Sequence, residues 1–463
     1  MEADAVPDVC RKHASSRQAV PRFFWRDEPM GSDMVVALGR ATVDGHTLFG
    51  HNSGRIGNKT PCLCLSPGRQ HEPGEKLRTQ YVEIPQARQV FAVLGSRQSG
   101  LWGYDHGVNE NQVAAGCVAL PAALRCQQPG LTGPDLVRLI LERSHSARQA
   151  VDLLTGLVER HGQGAFPVCP EESDHDSAFL IADGVEAYAV ETAGKHWVYQ
   201  EIHEVRAVSE ARVVHQDWDR ISCGLAGHAI AQGWWPEDGS KLDFAAALAR
   251  NAAAESGNLR RWGRATLLLE EQNGHIDSMF LRRVLSDHYE DGSDALAFFG
   301  VAAGRESLCR HERGPARSAT ASSFVAELTA GTGRPGIAWC ALAAPCLGAY
   351  FPILLDGDLP EALAQEDLRS LGASLSGRVL HLAEQLDQHP DRLGHAREHF
   401  ARLQARFDQE TEEFLSEAAA LKQRAAQTEL RRHTSLFMQH NVERFDEVLS
   451  EMLKQRTWVA VES

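Results

Sequence analysis

The segment from Met34 to Leu38 is apolar and β-prone, and Asp44-Gly45 is a dipeptide that favours a tight hairpin. The stretch HTLFGH at 46–51 returns as a second strand. Further strand-like runs follow at 79–84 (TQYVEI) and 90–96 (VFAVLGS). Four strands with no helix between them predict an antiparallel sheet. Residues 133–162 then carry helical periodicity, started by Gly133-Pro134-Asp135 and broken near Ser144 to Ser146. Two to three strands are expected over 177–202, punctuated by Asp183-Gly184 and Ala193-Gly194. Helices are expected over 242–254 and 258–287, and strands near 338–343 and 347–354.

From about 361 to 457 the pattern is helical, with breaks at Gly372, Gly377 and Pro390. Apolar positions 400, 403, 407, 414 and 421 fall on one heptad-like seam. Packing of these helices on the body accounts for the seam; a contact between copies of the chain is the alternative. The order of sheet, helices, sheet, helices predicts an α+β protein with mostly antiparallel strands.

The chain has 463 residues and a formal net charge of −15, which disfavours nucleic acid or an anionic membrane as partner because both need a basic face. The ten cysteines are scattered, with no C-x-x-C pair, and read as reduced thiols of a cytoplasmic protein. No apolar stretch is long enough for a membrane span. Residues 1–31 lack a secretory h-region and read as a loosely structured leader.

The 21 histidines raise the question of a metal. His215, Asp217 and Asp219 would share one strand face, Asp174, His175 and Asp176 are contiguous, and Cys62 and Cys64 point the same way if extended. None of these has the spacing of a ligand set, so no metal site is expected. No serine elbow, phosphate loop or dinucleotide fingerprint occurs, and no cofactor is implied.

The block SDMVVALGRATVDGHTLFGHNSGR at 32–55 resembles the start of the secernin and bacterial dipeptidase family of N-terminal nucleophile (Ntn) hydrolases. Its pattern is roughly C-D-T-x-V-A-L-P-P-A-T-x-D-G-x-x-x-F-G-K-N-S-D-R. Further similarities run in order: YVEIPQ (81–86), LWGYDHGVNENQVAAG (101–116), HDSAFLIADGVEAYAVETAGKHWV (175–198), RRWGRATLLLEEQNGHID (260–277), LCRH (308–311) and APCLGAYFPILLDGDLP (344–360). The resemblance covers about residues 32–360, leaving 361–463 as a C-terminal helical extension. It implies a sandwich of two antiparallel sheets between helical layers, and hydrolysis of dipeptides or other linear amides. The nucleophile would be freed by leader cleavage, with its own α-amine as general base.

Carried over position by position, the nucleophilic Cys falls on Ser32, and the Asp of N-S-D-R falls on Gly54. An Asn of the pocket falls on Cys117, followed by Val118, and an oxyanion-type Asn falls on Glu210. The resemblance retains Arg55, Asp176 and an Arg on the helix after 258, favouring Arg264 over Arg261, as catalytic groups beside Ser32. It also retains Asp33, Asn52, Trp102, Asn109, Glu110 and Ser177, and the substrate pocket is expected from Asp33, Asn52, Trp102, Asn109, Cys117 and Glu210. Plainer roles exist: Asn52 and Asn109 suit turns, Trp102 suits a core, and Asp176 could cap a strand turn. Three readings follow. The chain is a dipeptidase-type hydrolase using Ser32; or an inactive relative that binds a small amide, peptide or protein; or an enzyme in which Cys117 carries the reactive sulfur.

Overall fold

The computed structural model describes residues 31–56, 61–124, 128–164, 175–249, 256–289, 307–311, 318–331, 335–365 and 374–454. Much of the anticipated leader therefore lies outside the described residues. Two antiparallel sheets dominate. The first contains β1 (Asp33–Ala37), β2 (Thr47–Ile56), β10 (Val205–Ser209), β12 (Ser318–Leu328), β13 (Ile337–Leu342) and β14 (Tyr350–Leu354), in the order β10-β1-β2-β12-β13-β14. The second contains β3 (Pro61–Ser66), β4 (Val93–Gln98), β5 (His106–Asn109), β6 (Ala114–Pro121), β7 (His175–Ala182), β8 (Ala187–Ala193), β9 (His196–Ile202) and β11 (Arg220–Ile221). Its order is β11-β9-β8-β7-β6-β5-β4-β3.

The period of two along each strand sends alternate residues to opposite layers. A Cβ on Gly116 of β6 would meet Met34 Sδ and Phe49 Cζ, so the inner faces of the two sheets touch there. A Cβ on Gly50 of β2 would meet Val35 of β1 and Leu281 and Leu285 of a helix on the outer face. That helix is α6 (Ser278–Leu285), next to α5 (Ser256–Glu271). Helices α1 (Gly133–Arg143) and α2 (Ala147–His161) bury Leu136, Ile140, Val151 and Leu154 against Phe179 and Ile181 of the other sheet. The result is a four-layer sandwich of helix, sheet, sheet and helix, as the resemblance implies.

The break predicted near Ser144 falls between α1 and α2, where Ser146 caps α2 through its hydroxyl and the Gln149 N–H. Residues 258–287 form two helices, because Asn273-Gly274 turns the chain (Gly274 φ +86). Around residue 244 the helices are short: α3 (Leu225–Ala231) is followed by α4 (Phe244–Leu248). The run at 79–84 contributes only to a two-stranded ribbon of 76–78 and 83–85, outside both main sheets.

The tail forms α7 (Glu361–Ala364), α8 (Leu375–Gln388), α9 (Leu393–Gln423) and α10 (Gln427–Lys454). Gly377 lies inside α8, whose N-cap is Ser374, rather than at a break, and Gly372 falls outside the described residues. The seam residues Phe400, Leu403, Phe407, Phe414 and Leu421 are all buried. Phe351 of β14 packs on Phe407 and Phe445, and Phe414 stacks on Phe437, so the seam is filled within the chain. Arg282 of α6 pairs with Asp408 at 2.7 Å, tying the tail to the sandwich. No described helix is long and apolar enough to cross a membrane.

Glu191 of β8 is buried, and its Oε1 accepts the Val213 and Val214 N–H groups while Oε2 has no hydrogen-bond partner. Burial pushes its carboxyl up to about 7, so the folded chain keeps a proton that the unfolded chain releases near its ordinary value of 4.5. Stability from this group therefore falls as pH rises through that window and levels off above it. Glu191→Gln keeps the acceptor and removes the ionisation. Its thermal midpoint should rise relative to wild type between about pH 5 and about pH 8, by a few degrees; scanning calorimetry at both values checks it.

Candidate active site

Strand β1 sorts its first residues by parity. Ser32 faces inward with Met34, whereas Asp33 faces outward with Val35. The residue before them is Gly31, at φ +74, and a Cβ there would sit 1.4 Å from the Arg310 Nη1. Only glycine fits both the left-handed backbone and the guanidinium packed over it. Ser32 is 6% exposed. Its Oγ accepts the Gly54 N–H at 3.0 Å, and its own N–H donates to Glu210 Oε1 at 3.0 Å.

The resemblance puts Glu210 at an oxyanion position. Its carboxylate instead meets the nitrogen of Ser32, and its backbone carbonyl is held by Asn258 at 2.8 Å. Burial pushes the Glu210 carboxyl up, against the pull of the Arg261 and Arg310 guanidinium groups and the Gly31 and Ser32 N–H groups.

Asp33 does not line the cleft that Ser32 lines. Both its oxygens accept from Arg261 Nε at 3.0 Å, and Oδ1 also accepts the Ser209 hydroxyl at 2.5 Å. Arg261 Nη2 lies 3.7 Å from Glu210 Oε2. Arg261 is therefore the arginine of this cluster. Arg264, favoured from sequence, is three residues on and pairs with Asp287 at 2.6 Å. One helical turn separates the two, and only Arg261 faces β1.

Ser32 lines a cleft with Ser53, Gln98, Asp105, Cys117 and Ser177; Val118, Ala119, Pro134 and His175 complete its wall. Ser53 Oγ donates to Asp105 Oδ2 at 2.8 Å, and Gln98 Nε2 donates to the same oxygen at 3.1 Å. Burial pushes Asp105 up to about 6, and the Ser53 and Gln98 hydrogen bonds limit the rise. Cys117 lies in the cleft as expected. Burial, with the Asp105 and Asp135 carboxyls nearby, pushes its thiol far up, which favours the protonated over the thiolate form.

The remaining expected residues do not join this cleft. Asn52 points to the outer face, donating to the Leu285 and Leu308 carbonyls at 2.7 and 2.9 Å. Asn109 clamps the end of α1 through the Leu141 and Ser144 carbonyls, both at 2.8 Å, and accepts from the Asn111 and Val113 N–H groups. Glu110 holds the Ala92 N–H at 2.8 Å. Trp102 lies beneath the Arg138 guanidinium, 4.3 Å from its ring centre. Asp176 is paired with Arg212 at 2.9 Å and accepts the Ala123 and Gly194 N–H groups, a buried tie rather than a cleft group. Arg55 lies in β2 opposite Ala319, and its side chain is outside the described residues.

Several groups went unnoticed in the sequence. His51 and His106 meet between the sheets, Nδ1 to Nδ1 at 2.9 Å, and burial holds both below the ordinary imidazole range, His106 at about 3. The donor atoms of His288, Cys309, His311 and Cys346 all lie within 4.8 Å of one another, a set of the kind that holds a metal. The reading of no metal site overlooked it because the four residues come from three separate stretches of chain.

No family model matches the chain. Among solved structures, a single-residue mutant of conjugated bile acid hydrolase from Clostridium perfringens is similar at 13% identity and a TM-score of 0.40, over 73% of this chain and 97% of that one. Penicillin V acylase from Agrobacterium tumefaciens follows at 12% identity and 0.38, covering 70% and 86%. The Caenorhabditis elegans orthologue of N-acylethanolamine-hydrolyzing acid amidase gives 10% and 0.29, covering 63% and 91%.

Proposed function

We propose that this protein hydrolyses linear amide bonds of the dipeptide type, with Ser32 as an N-terminal nucleophile released by cleavage of the Gly31–Ser32 peptide. The observation that carries the reading is the placement of Ser32. Ser32 lines a cleft with Ser53, Gln98, Asp105 and Cys117; its Oγ takes a backbone N–H, while its nitrogen rests on the Glu210 carboxyl. A freed α-amine would lie beside its own hydroxyl, and α-amines titrate near ~7.7–8.0, within reach of neutral pH.

In this reaction the α-amine takes the Oγ proton as Oγ bonds to the substrate carbonyl carbon, and the π pair moves to the carbonyl oxygen. Collapse of that adduct expels the amine, which leaves with the proton from the α-ammonium. Water then cleaves the acyl ester by the same route and restores Ser32. The Gly54 N–H, by donating to one lone pair of Oγ, orients the hydroxyl. Asp33 and Arg261 hold β1 in position from behind and touch no substrate. Asp105, with its raised carboxyl, supplies a cleft group able to bind a substrate amine or amide N–H.

Two outcomes are expected. Intact mass of the purified full chain should show a species beginning at Ser32, and a panel of dipeptides and N-acyl amino acids should be turned over. Ser32→Ala should lose at least about 10³-fold in kcat/KM. Equal turnover by both proteins would sink the mechanism. Retention of the leader without turnover would favour a binding role for the cleft, which calorimetric titration with dipeptides would measure.

Glu210→Gln keeps the acceptor for the Ser32 nitrogen and removes the charge. A carboxylate beside an ammonium favours its charged form, so its loss lowers the α-amine pKa. The acid limb of the kcat profile should then move to lower pH by about one unit; an unmoved limb would separate Glu210 from the base.

A further inference from the structure

The polar contacts of His311 cannot all be hydrogen bonds. Its Nε2 lies 3.1 Å from His288 Nε2, 3.0 Å from Cys346 Sγ and 3.4 Å from Cys309 Sγ. One ring nitrogen carries one proton or offers one lone pair. Three such neighbours around it are instead the edges expected when four donors face a common centre. With Zn–S of about 2.3 Å and Zn–N of about 2.0–2.1 Å, a tetrahedron has edges of roughly 3.3 Å between nitrogens, roughly 3.6 Å from nitrogen to sulfur and roughly 3.8 Å between sulfurs. The His288 and Cys309 edges fall about 0.2 Å inside those values and the Cys346 edge about 0.6 Å inside, while the set as a whole spans 4.8 Å and would close by about 1 Å around a common ion.

Cys309 is fully buried and His288 is 3% exposed, while His311 and Cys346 are half-buried. Cys346 sits on the one-turn helix Pro345–Leu347 between β13 and β14. His288 follows α6, and the Cys309 N–H binds the Asp287 carbonyl at 3.2 Å. Arg310 is fixed to Thr320 of β12 in both directions, through N–H to Oγ1 at 3.0 Å and from the Thr320 N–H to its carbonyl at 3.2 Å. These backbone ties fix Cys309 and Arg310 against the end of α6 and β12. Two thiolates and two imidazoles form a set that suits zinc over magnesium or calcium.

We propose that His288, Cys309, His311 and Cys346 bind one zinc ion, and that this ion fixes the Cys309-Arg310-His311 strap whose central guanidinium packs over Gly31. The ion has no open position for substrate, so its role is structural. It joins the end of α6, the turn between β13 and β14, and the strap, and it lies outside the cleft that Ser32 lines. The assignment stands independently of the reaction proposed for Ser32.

The test uses the full chain purified without metal-affinity steps or chelators. Elemental analysis should find about one zinc per chain. After removal of the metal, cobalt(II) should restore the intense visible bands and thiolate charge-transfer absorption of a tetrahedral sulfur-ligated site. Cys346→Ser and His288→Ala should each abolish these bands. Zinc below about a tenth of an equivalent, with no cobalt spectrum from a folded chain, overturns the site. So does an intact mass two hydrogens lighter that maps to a Cys309–Cys346 disulfide. Hydrogen exchange tests the strap: removing zinc should speed exchange at Cys309, Arg310 and Thr320 while leaving α1 unchanged. Binding of zinc with no change in that exchange overturns its role in fixing Arg310. Wild-type metal content and exchange need no variant, so a misfolded substitution leaves the result decidable.

Discussion

A carboxylate and a guanidinium buried together beneath β1 govern the geometry of the site. Asp33 and Arg261 are each 1% exposed, and removing two such charges from water costs several kcal/mol per ion before they attract each other. Two-oxygen contact with Nε, the Ser209 hydroxyl and the nearby Glu210 offset that cost. The pair fixes which way β1 faces. A slip of one residue would exchange its two faces, bringing the charge of Asp33 into the cleft and sending Ser32 into the helical layer.

Charge around Ser32 is balanced by neighbours from four stretches of the chain. Asp33 and Glu210 bring two carboxyls, and Arg261 and Arg310 bring two guanidinium groups. Burial favours the neutral form of Glu210 while the nitrogen it holds is an amide. An ammonium in the same place would reverse that preference, because an opposite charge at contact favours the carboxylate. A glutamate at this position is thus compatible with a neighbouring nitrogen that becomes cationic. By contrast, burial at Cys117 favours the protonated thiol.

Much of the fold was legible because its signals are local. Asp44-Gly45 marked the first hairpin, an apolar β-prone run marked β1, and the polar break at Ser144 to Ser146 marked the boundary of α1 and α2. Strand β6, AAGCVALP, lacks alternation because it is buried on nearly all sides, so only its pairing with β5 and β7 reveals it. The site was legible at Ser32 and Cys117. Asn52 and Asp33 are neighbours of cleft residues in sequence, yet the pleat turns them away. Arg261 and Arg264 share a helix pattern that cannot say which faces a strand. The Cys and His donors converge only once α6, the strap and the turn after β13 are in place, and no spacing rule records that.

The position of β12 in the sheet has a consequence for the order of assembly. β2 pairs on one side with β1, its neighbour in sequence, and on the other with residues 318–328. The opposite edge of β1 waits for Val205–Ser209. Contacts so distant along the chain carry a large loop-closure cost and form late. During synthesis, the β1–β2 hairpin stays unflanked on its β1 edge until Val205–Ser209 has emerged, and on its β2 edge until residues 318–328 have. The Ser32 region is therefore translated ahead of both strands that flank its hairpin, and its enclosure follows their arrival.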